Sequence, residues 1–161
     1  MTIYPFNAEE AFKIAIAVEE NGLKFYRQAA AKFSGPVAEM FEGLAKEEDI
    51  HKAVFSKILD TLPKGQPSVY DPNNETDQYL QMMADLNIFK TNSSVDEVLA
   101  GITNVKDAVK LAIGLEKDSV VFFVQLKNAA AQLSDELSID KLILEEAKHL
   151  RKLAAIHNRL D

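Results

Sequence analysis

Apolar residues recur at spacings of three and four through almost all of residues 8–58 and 105–158, the period of a helix that buries one face. Alternating strand patterns are sparse, so the expected fold is all-α. Asn7 is a good N-cap with Glu10 three residues on, and a first helix is expected over about 7–33. "SGP" at 34–36 stops it. Pro36 suits the first turn of a second helix, which runs to about Leu62 before "PKGQP" breaks it. Two long helices joined by so short a turn must pack antiparallel. Residues 63–103 read as a connector, with "DPNN" in a loop, "ETDQYLQMMADLNIF" as a local helix and "TNSSVDEVLAG" as a short capped one. A third long helix is expected over about 104–133 and a fourth over about 135–158.

The pattern contains an internal repeat. "NAEEAFKIAIAVEENGLKFY" from Asn7 lies over "NVKDAVKLAIGLEKDSVVFF" from Asn104, with the cap, the "AI" pair, a glutamate and an aromatic pair in register. "LAKEEDIH" lies over "LILEEAKH", which matches Glu48 and His51 to Glu146 and His149. One helical hairpin is used twice, and a single domain spanning 1–161 is expected.

Each long helix carries ionisable groups on its apolar stripe. In the first, Ala15, Val18, Gly22, Phe25, Tyr26 and Ala29 define the inward face, with Glu19 inside it and Glu20 at its edge. In the third, Ala112, Leu115, Ser119, Phe122 and Leu126 enclose Glu116. In the second, Phe41, Leu44, Ala45, Phe55 and Ile58 enclose Glu48 and His51. In the fourth, Ile139, Leu142, Ile143, Leu150 and Leu153 enclose Glu146 and His149. Solvated ion pairs on helix surfaces are the bland alternative, and both the apolar stripe and the repeat oppose it. Uncompensated, four carboxylates in an apolar core would cost several kcal/mol each or force their own protonation. Two divalent cations would offset the four charges, and two neutral imidazoles would add nitrogen ligands. A glutamate from each of two helices plus Glu-x-x-His from each of the other two is the ligand pattern of di-iron and di-manganese bundles.

Tyr26, seven residues after Glu19, is either a hydrogen-bond partner of a ligand or core packing, and Phe123 at the repeat position favours packing. His157 near a helix C-terminus reads as structural, Met82 and Met83 as core or interface filler, and "KHLRK" at 148–152 as a charged helix face.

Composition narrows the chemistry. The chain has 161 residues, a net charge of −7 and no cysteine. The acidity argues against a nucleic-acid footprint, and the missing thiols exclude disulfides, thiolate sites and iron–sulfur clusters. Any metal must be held by oxygen and imidazole. The N-terminal segment lacks a basic stretch followed by an apolar run, and nowhere are there 18 consecutive apolar residues, so a cytoplasmic protein with no membrane partner is expected.

The segments "AVEENGLKFY", "EEDIH", "GLEKDSVVFF" and "EEAKH" resemble the ferritin-like di-iron domain of the rubrerythrin family over essentially the whole chain. The resemblance implies a ferritin-like four-helix bundle whose hairpins are related by a pseudo-two-fold axis, with parallel second and third helices joined by the long connector. It implies two iron ions, with Glu19 and Glu116 as terminal ligands, Glu48 and Glu146 bridging, and His51 and His149 each completing one metal. Manganese or zinc would suit the same ligands.

The implied activity is reaction with hydrogen peroxide or dioxygen, and a homodimer is expected. Rubrerythrins that carry a rubredoxin domain hold its iron on four cysteines. This chain has none, so electrons are expected from a separate donor protein. Ser119 stands where those enzymes place a further glutamate, so their peroxidase mechanism does not carry over unexamined. The alternative function is ferritin-like iron binding, as a ferroxidase or storage protein. A third is a structural helical protein with a vestigial or zinc-filled site.

Overall fold

A computed structural model of the chain describes residues 8–62, 78, 95–129 and 136–160. Among them are five helices and no strand: α1 (Ala8–Lys32), α2 (Pro36–Thr61), α3 (Val95–Ala100), α4 (Val105–Ala129) and α5 (Glu136–His157). The four long helices match the expected ones to within a few residues at each described end. The proposed cap at Asn7, the helix read into "ETDQYLQMMADLNIF" with Met82 and Met83, and the boundary at 130–135 lie outside the described residues.

Local chemistry sets the boundaries. Gly35 has φ +70°, a conformation that side chains rarely tolerate, and Pro36 follows at the first turn of α2. Leu62 is extended, as expected of a residue that precedes proline, and its N–H donates to the Leu59 carbonyl. Asn104 caps α4, its side-chain oxygen accepting the Asp107 N–H at 2.8 Å.

α1 packs along α2 and α4 along α5, as two hairpins. Their apolar residues form two separate cores. One contains Phe25, Tyr26, Phe41, Leu44, Ala112 and Leu153; the other contains Phe12, Ala15, Phe55, Phe123, Ile139 and Leu142. α1 and α5 run from the second core to the first, and α2 and α4 run the other way, so α2 and α4 are parallel, as the family resemblance implies. α2 ends in the second core, whereas α3 sits in the first through Val95 and Leu99. Lys32 anchors α3 there by donating to the Leu99 carbonyl at 2.7 Å.

Between the two cores lie the buried charged and polar residues of the inner stripes: Glu19, Glu48, His51, Glu116, Glu146 and His149. The bundle is thus two apolar plugs around an ionisable layer. No described helix is long and apolar enough to cross a membrane.

Phe55 is fully buried in the second core, its ring centroid 4.8 Å from that of Phe123 and 6.2 Å from that of Phe12. Phe55→Ala is expected to destabilise the fold by about 3–5 kcal/mol. Urea denaturation followed by circular dichroism measures this, and a loss below about 1 kcal/mol would show that the core is not closely packed there.

Candidate metal centre

None of the six ionisable groups of the layer is more than 4% exposed. A charged side chain is almost never so deeply buried without a partner. Glu19 comes from α1, Glu48 and His51 from α2, Glu116 from α4, and Glu146 and His149 from α5, so each sequence-predicted site residue reaches the same point. Their donor atoms form two overlapping sets. Glu19, Glu48, His51 and Glu146 can each offer an atom within 4.8 Å of the others, and so can Glu48, Glu116, Glu146 and His149. Glu48 and Glu146 belong to both sets.

The imidazoles are stacked, with ring centroids 5.5 Å apart and planes 14° from parallel, and both turn Nδ1 toward the carboxylates. His51 Nδ1 lies 2.6 Å from Glu146 Oε1 and 3.8 Å from Glu19 Oε2. His149 Nδ1 lies 3.1 Å from Glu146 Oε2, 3.3 Å from Glu116 Oε1 and 3.4 Å from Glu48 Oε1.

This proximity does not amount to a satisfied network. Glu19 Oε1, Glu48 Oε1, Glu146 Oε1 and His51 Nδ1 are buried without a hydrogen-bond partner, although His51 Nδ1 and Glu146 Oε1 lie close together. An unsatisfied buried polar atom costs about 1–3 kcal/mol, so four in one place call for a further binding partner. Divalent cations fit, because every orphaned atom is a metal-ligand type and the carboxylate charge equals that of two such ions.

Without metal, protons take up the strain. Burial, and then the charge of Glu48, push the Glu19 carboxyl well above its ordinary value of 4.5. Burial and the hydrogen bond with Glu146 do the same to Glu116. Burial opposes ionisation of Glu146, but hydrogen bonds with Glu116 and His149 and the charge of the adjacent His51 outweigh it and hold that carboxyl low. Burial likewise opposes charging of His51 and His149, and their glutamate partners outweigh it, so both are raised above 6.5.

Tyr26 is both of the things its sequence position allowed. Its ring stacks on Phe41 at 5.9 Å, and its buried hydroxyl donates a short hydrogen bond to Glu116. Burial keeps the phenol protonated and hence a donor. Gly22 is the close-approach glycine of the site: a Cβ there would stand 3.1 Å from Glu48 Oε2. Glu20, at the stripe's edge, is not part of the cluster and lies 3.6 Å from Lys52 at the surface.

Two functional glutamates escaped the sequence reading. His51 Nε2 is held by Glu145 Oε2 at 2.9 Å, and His149 Nε2 by Glu47 through a short hydrogen bond. The straps are reciprocal, since α5 orients the histidine of α2 and α2 that of α5. Each leaves Nδ1 free of its proton for a metal when Nε2–H is donated outward. Contacts with His149 and Lys152, stronger than the effect of burial, hold Glu47 ionised. The available signal was the doubled glutamate in "EEDIH" and "EEAKH", in register in both halves.

The rubrerythrin family model matches residues 10–157. The chain belongs to the rubrerythrin family. A solved protein of Thermotoga maritima, described as a ferritin-like diiron-carboxylate protein, is similar in fold, with a TM-score of 0.75, 23% identity and 100% of both chains covered. No curated protein matches the chain. In this rubrerythrin-family chain the two overlapping sets form a di-iron type of site, with Glu48 and Glu146 shared.

Two outcomes follow from the geometry. Glu47→Gln and Glu145→Gln are each expected to lower metal affinity about 10–100-fold while preserving helicity, as removal of an outer-shell carboxylate typically does. Competition with a chromophoric chelator measures this, and unchanged affinity in both variants would deny the straps their role. The second outcome concerns pH. The folded metal-free chain keeps protons on Glu19 and Glu116 that the unfolded chain releases above 4.5, so its stability falls as pH rises from 4.5 toward neutrality. The raised histidines act in the same direction above 6.5, whereas Glu47 and Glu146, held low, act only below 4.5. Metal requires the deprotonated ligands, so loading is expected to release protons and affinity to rise with pH. A pH-stat titration with no proton release would contradict the protonated cluster.

Proposed function

We propose that this protein is a non-haem di-iron oxidoreductase that reacts with hydrogen peroxide or dioxygen and draws electrons from a separate donor protein. The observation that carries the reading is the pair of overlapping four-residue ligand sets sharing Glu48 and Glu146, buried between two apolar cores. Bound iron would supply two electrons together, which suits reduction of an O–O bond. No cysteine stands in these 161 residues to hold a rubredoxin-type iron, and the reading accordingly takes its electrons from a donor outside them.

The chain's own groups have distinct tasks. Glu19 with His51, and Glu116 with His149, would hold one ion each, while Glu48 and Glu146 span both positions. Glu47 and Glu145 fix the imidazoles, and Tyr26 fixes Glu116. The phenylalanines of the two cores exclude bulk water above and below the layer, which strengthens every electrostatic contact within it.

Elemental analysis after anaerobic Fe(II) reconstitution is expected to give about two irons per chain, lost in the Glu48→Ala/Glu146→Ala variant. Stopped-flow mixing of the ferrous protein with peroxide, and separately with dioxygen, is expected to show oxidation faster than that of free Fe(II). Oxidation at the free-ion rate with both oxidants would sink the oxidoreductase reading. Oxidation by dioxygen followed by release of ferric iron would favour the ferroxidase alternative instead.

A further inference from the structure

Three of the four large apolar side chains that stand exposed among the described residues belong to one hairpin. They are Val121 and Val124 on α4, 50% and 36% exposed, and Leu144 on α5, 63% exposed. Single exposed apolar residues need no explanation, whereas a group of them with a polar rim marks an interaction surface. Two contacts across the hairpin bracket the three: Lys127 pairs with Asp140 at 2.6 Å, and His149 Nδ1 lies 3.3 Å from Glu116. Val121, Val124 and Leu144 therefore lie between the same two levels of the bundle.

The repeat shows which face they occupy. In the first hairpin, Arg27, Glu42, Lys46 and Asp49 line a groove on the outside of α1 and α2. In register, Arg27 corresponds to Val124, Lys46 to Leu144 and Asp49 to Ala147, and Lys24 corresponds to Val121. The outer face that is charged in one half is apolar at its centre in the other. These side chains point away from both cores, so internal packing does not account for the change.

The rim of this face is basic. On α4, Lys110, Lys117, Val121 and Val124 share one stripe at spacings of seven, four and three; on α5, Leu144, Lys148 and Arg151 share another at four and three. All four cations are exposed. Asp107 and Asp118 flank the α4 stripe, the first of them held by Asn104. Four cations beside an apolar centre, on a chain of net charge −7, give this face a field opposite in sign to that of the whole.

Charge and size select the occupant. A second copy docked by two-fold symmetry would set the four cations against their own kind. Three apolar side chains also fall short of the roughly 800 Å² per partner of a stable interface, but they suit the small, transient encounters of electron-transfer proteins. A nucleic acid would be repelled by the rest of the acidic chain and has no use for the apolar centre. The face lies directly outside the ionisable layer, since Lys117 follows Glu116 and Leu144 stands two residues before Glu146. One helix thickness, about 10 Å, separates it from the carboxylates.

We propose that the outer face of the α4–α5 hairpin docks a small acidic electron-carrier protein, with Val121, Val124 and Leu144 as its apolar centre and Lys117, Lys148 and Arg151 as its steering charges. The proposal rests on the di-iron oxidoreductase reading. The carrier gives up one electron per encounter, and two encounters return a ferric pair to the ferrous state; no covalent bond forms or breaks at the interface.

The test titrates the iron-loaded protein into a dye-labelled acidic two-iron ferredoxin and reads fluorescence anisotropy at low and high salt, with cytochrome c as a basic carrier for comparison. Stopped-flow reduction of the oxidised protein by reduced ferredoxin gives the rate, and iron content and melting temperature are measured on every sample. Wild type is expected to bind ferredoxin, more weakly at high salt, and not to bind cytochrome c. Lys148→Glu/Arg151→Glu is expected to weaken binding and slow reduction about tenfold, with a flatter salt dependence. Val121→Ser/Leu144→Ser is expected to keep its iron and melting temperature and to bind about fivefold more weakly. Arg27→Glu/Lys46→Glu, the matched change on the first hairpin, is expected to behave as wild type.

A wild type that does not bind ferredoxin would overturn the proposal, and so would equal losses from charge reversal on the two hairpins. Unchanged binding in both α4–α5 variants would overturn it as well. A wild-type dimer that Val121→Ser/Leu144→Ser dissociates would assign the face to a second copy instead, and a large fall in that variant's melting temperature would show it to be covered by the chain itself. A wild type that takes up no iron overturns the di-iron reading and the carrier's role with it, and the iron assay separates that failure from failure of the docking face, which the anisotropy reads.

Discussion

The structure depends on keeping four carboxylates and two imidazoles out of water at the centre of an apolar bundle. Left ionised and unpaired, each buried carboxylate would cost several kcal/mol, a large fraction of the stability of a domain this size. Two compensations are available to the same residues. Protons on Glu19, Glu116 and the histidines neutralise the layer without metal, and two divalent cations do so with it. The first leaves Glu19, Glu48, Glu146 and His51 with unsatisfied atoms; the second gives each of those atoms a ligand's role. The two phenylalanine-rich cores hold the four helices in register against the resulting repulsion, so core packing and metal affinity are coupled through one geometry.

Crossed straps reinforce that register. Glu47 and Glu145 each fix a histidine that belongs to the opposite hairpin, so neither hairpin presents an oriented ligand set by itself. Both straps lie between α2 and α5, where half-exposed carboxylates and Lys152 meet solvent. The opposite seam, between α1 and α4, is built from Gly22, Ser119 and aliphatic side chains. The metal layer is therefore braced by charge on one side and left with space on the other.

Much of this was legible in the sequence because a helix face is a local property. Glu19, Glu48, His51, Glu116, Glu146 and His149 could each be placed on an inward stripe from three- and four-residue spacing alone, and the repeat paired them before any coordinates. Pro36 and Asn104 marked helix starts by equally local chemistry. Glu47 and Glu145 could not be read that way. Each sits one residue before an inward glutamate, about 100° around its helix, and its partner lies on another helix roughly one hundred positions away in the chain. The hydroxyl of Tyr26 was ambiguous for the same reason, since the bond to Glu116 spans 90 positions.

The repeat also conceals an inequality. Its six ionisable residues are duplicated faithfully, but Tyr26 and Phe123 are not the same residue, and the difference falls directly on the site. Tyr26 gives Glu116 a buried hydrogen bond. Phe123 packs against Phe55 and has no hydroxyl to offer Glu19, whose Oε1 is left without a partner. Gly22 and Ser119 divide the seam between α1 and α4 in the same unequal way. A carboxylate held by a phenol has part of its charge already neutralised, whereas one with an orphaned oxygen keeps that lone pair for whatever cation arrives. Two positions that the repeat makes equivalent thus differ in how their glutamates, Glu19 and Glu116, are hydrogen-bonded. A pair of metals bound there would occupy a symmetric frame with unlike surroundings.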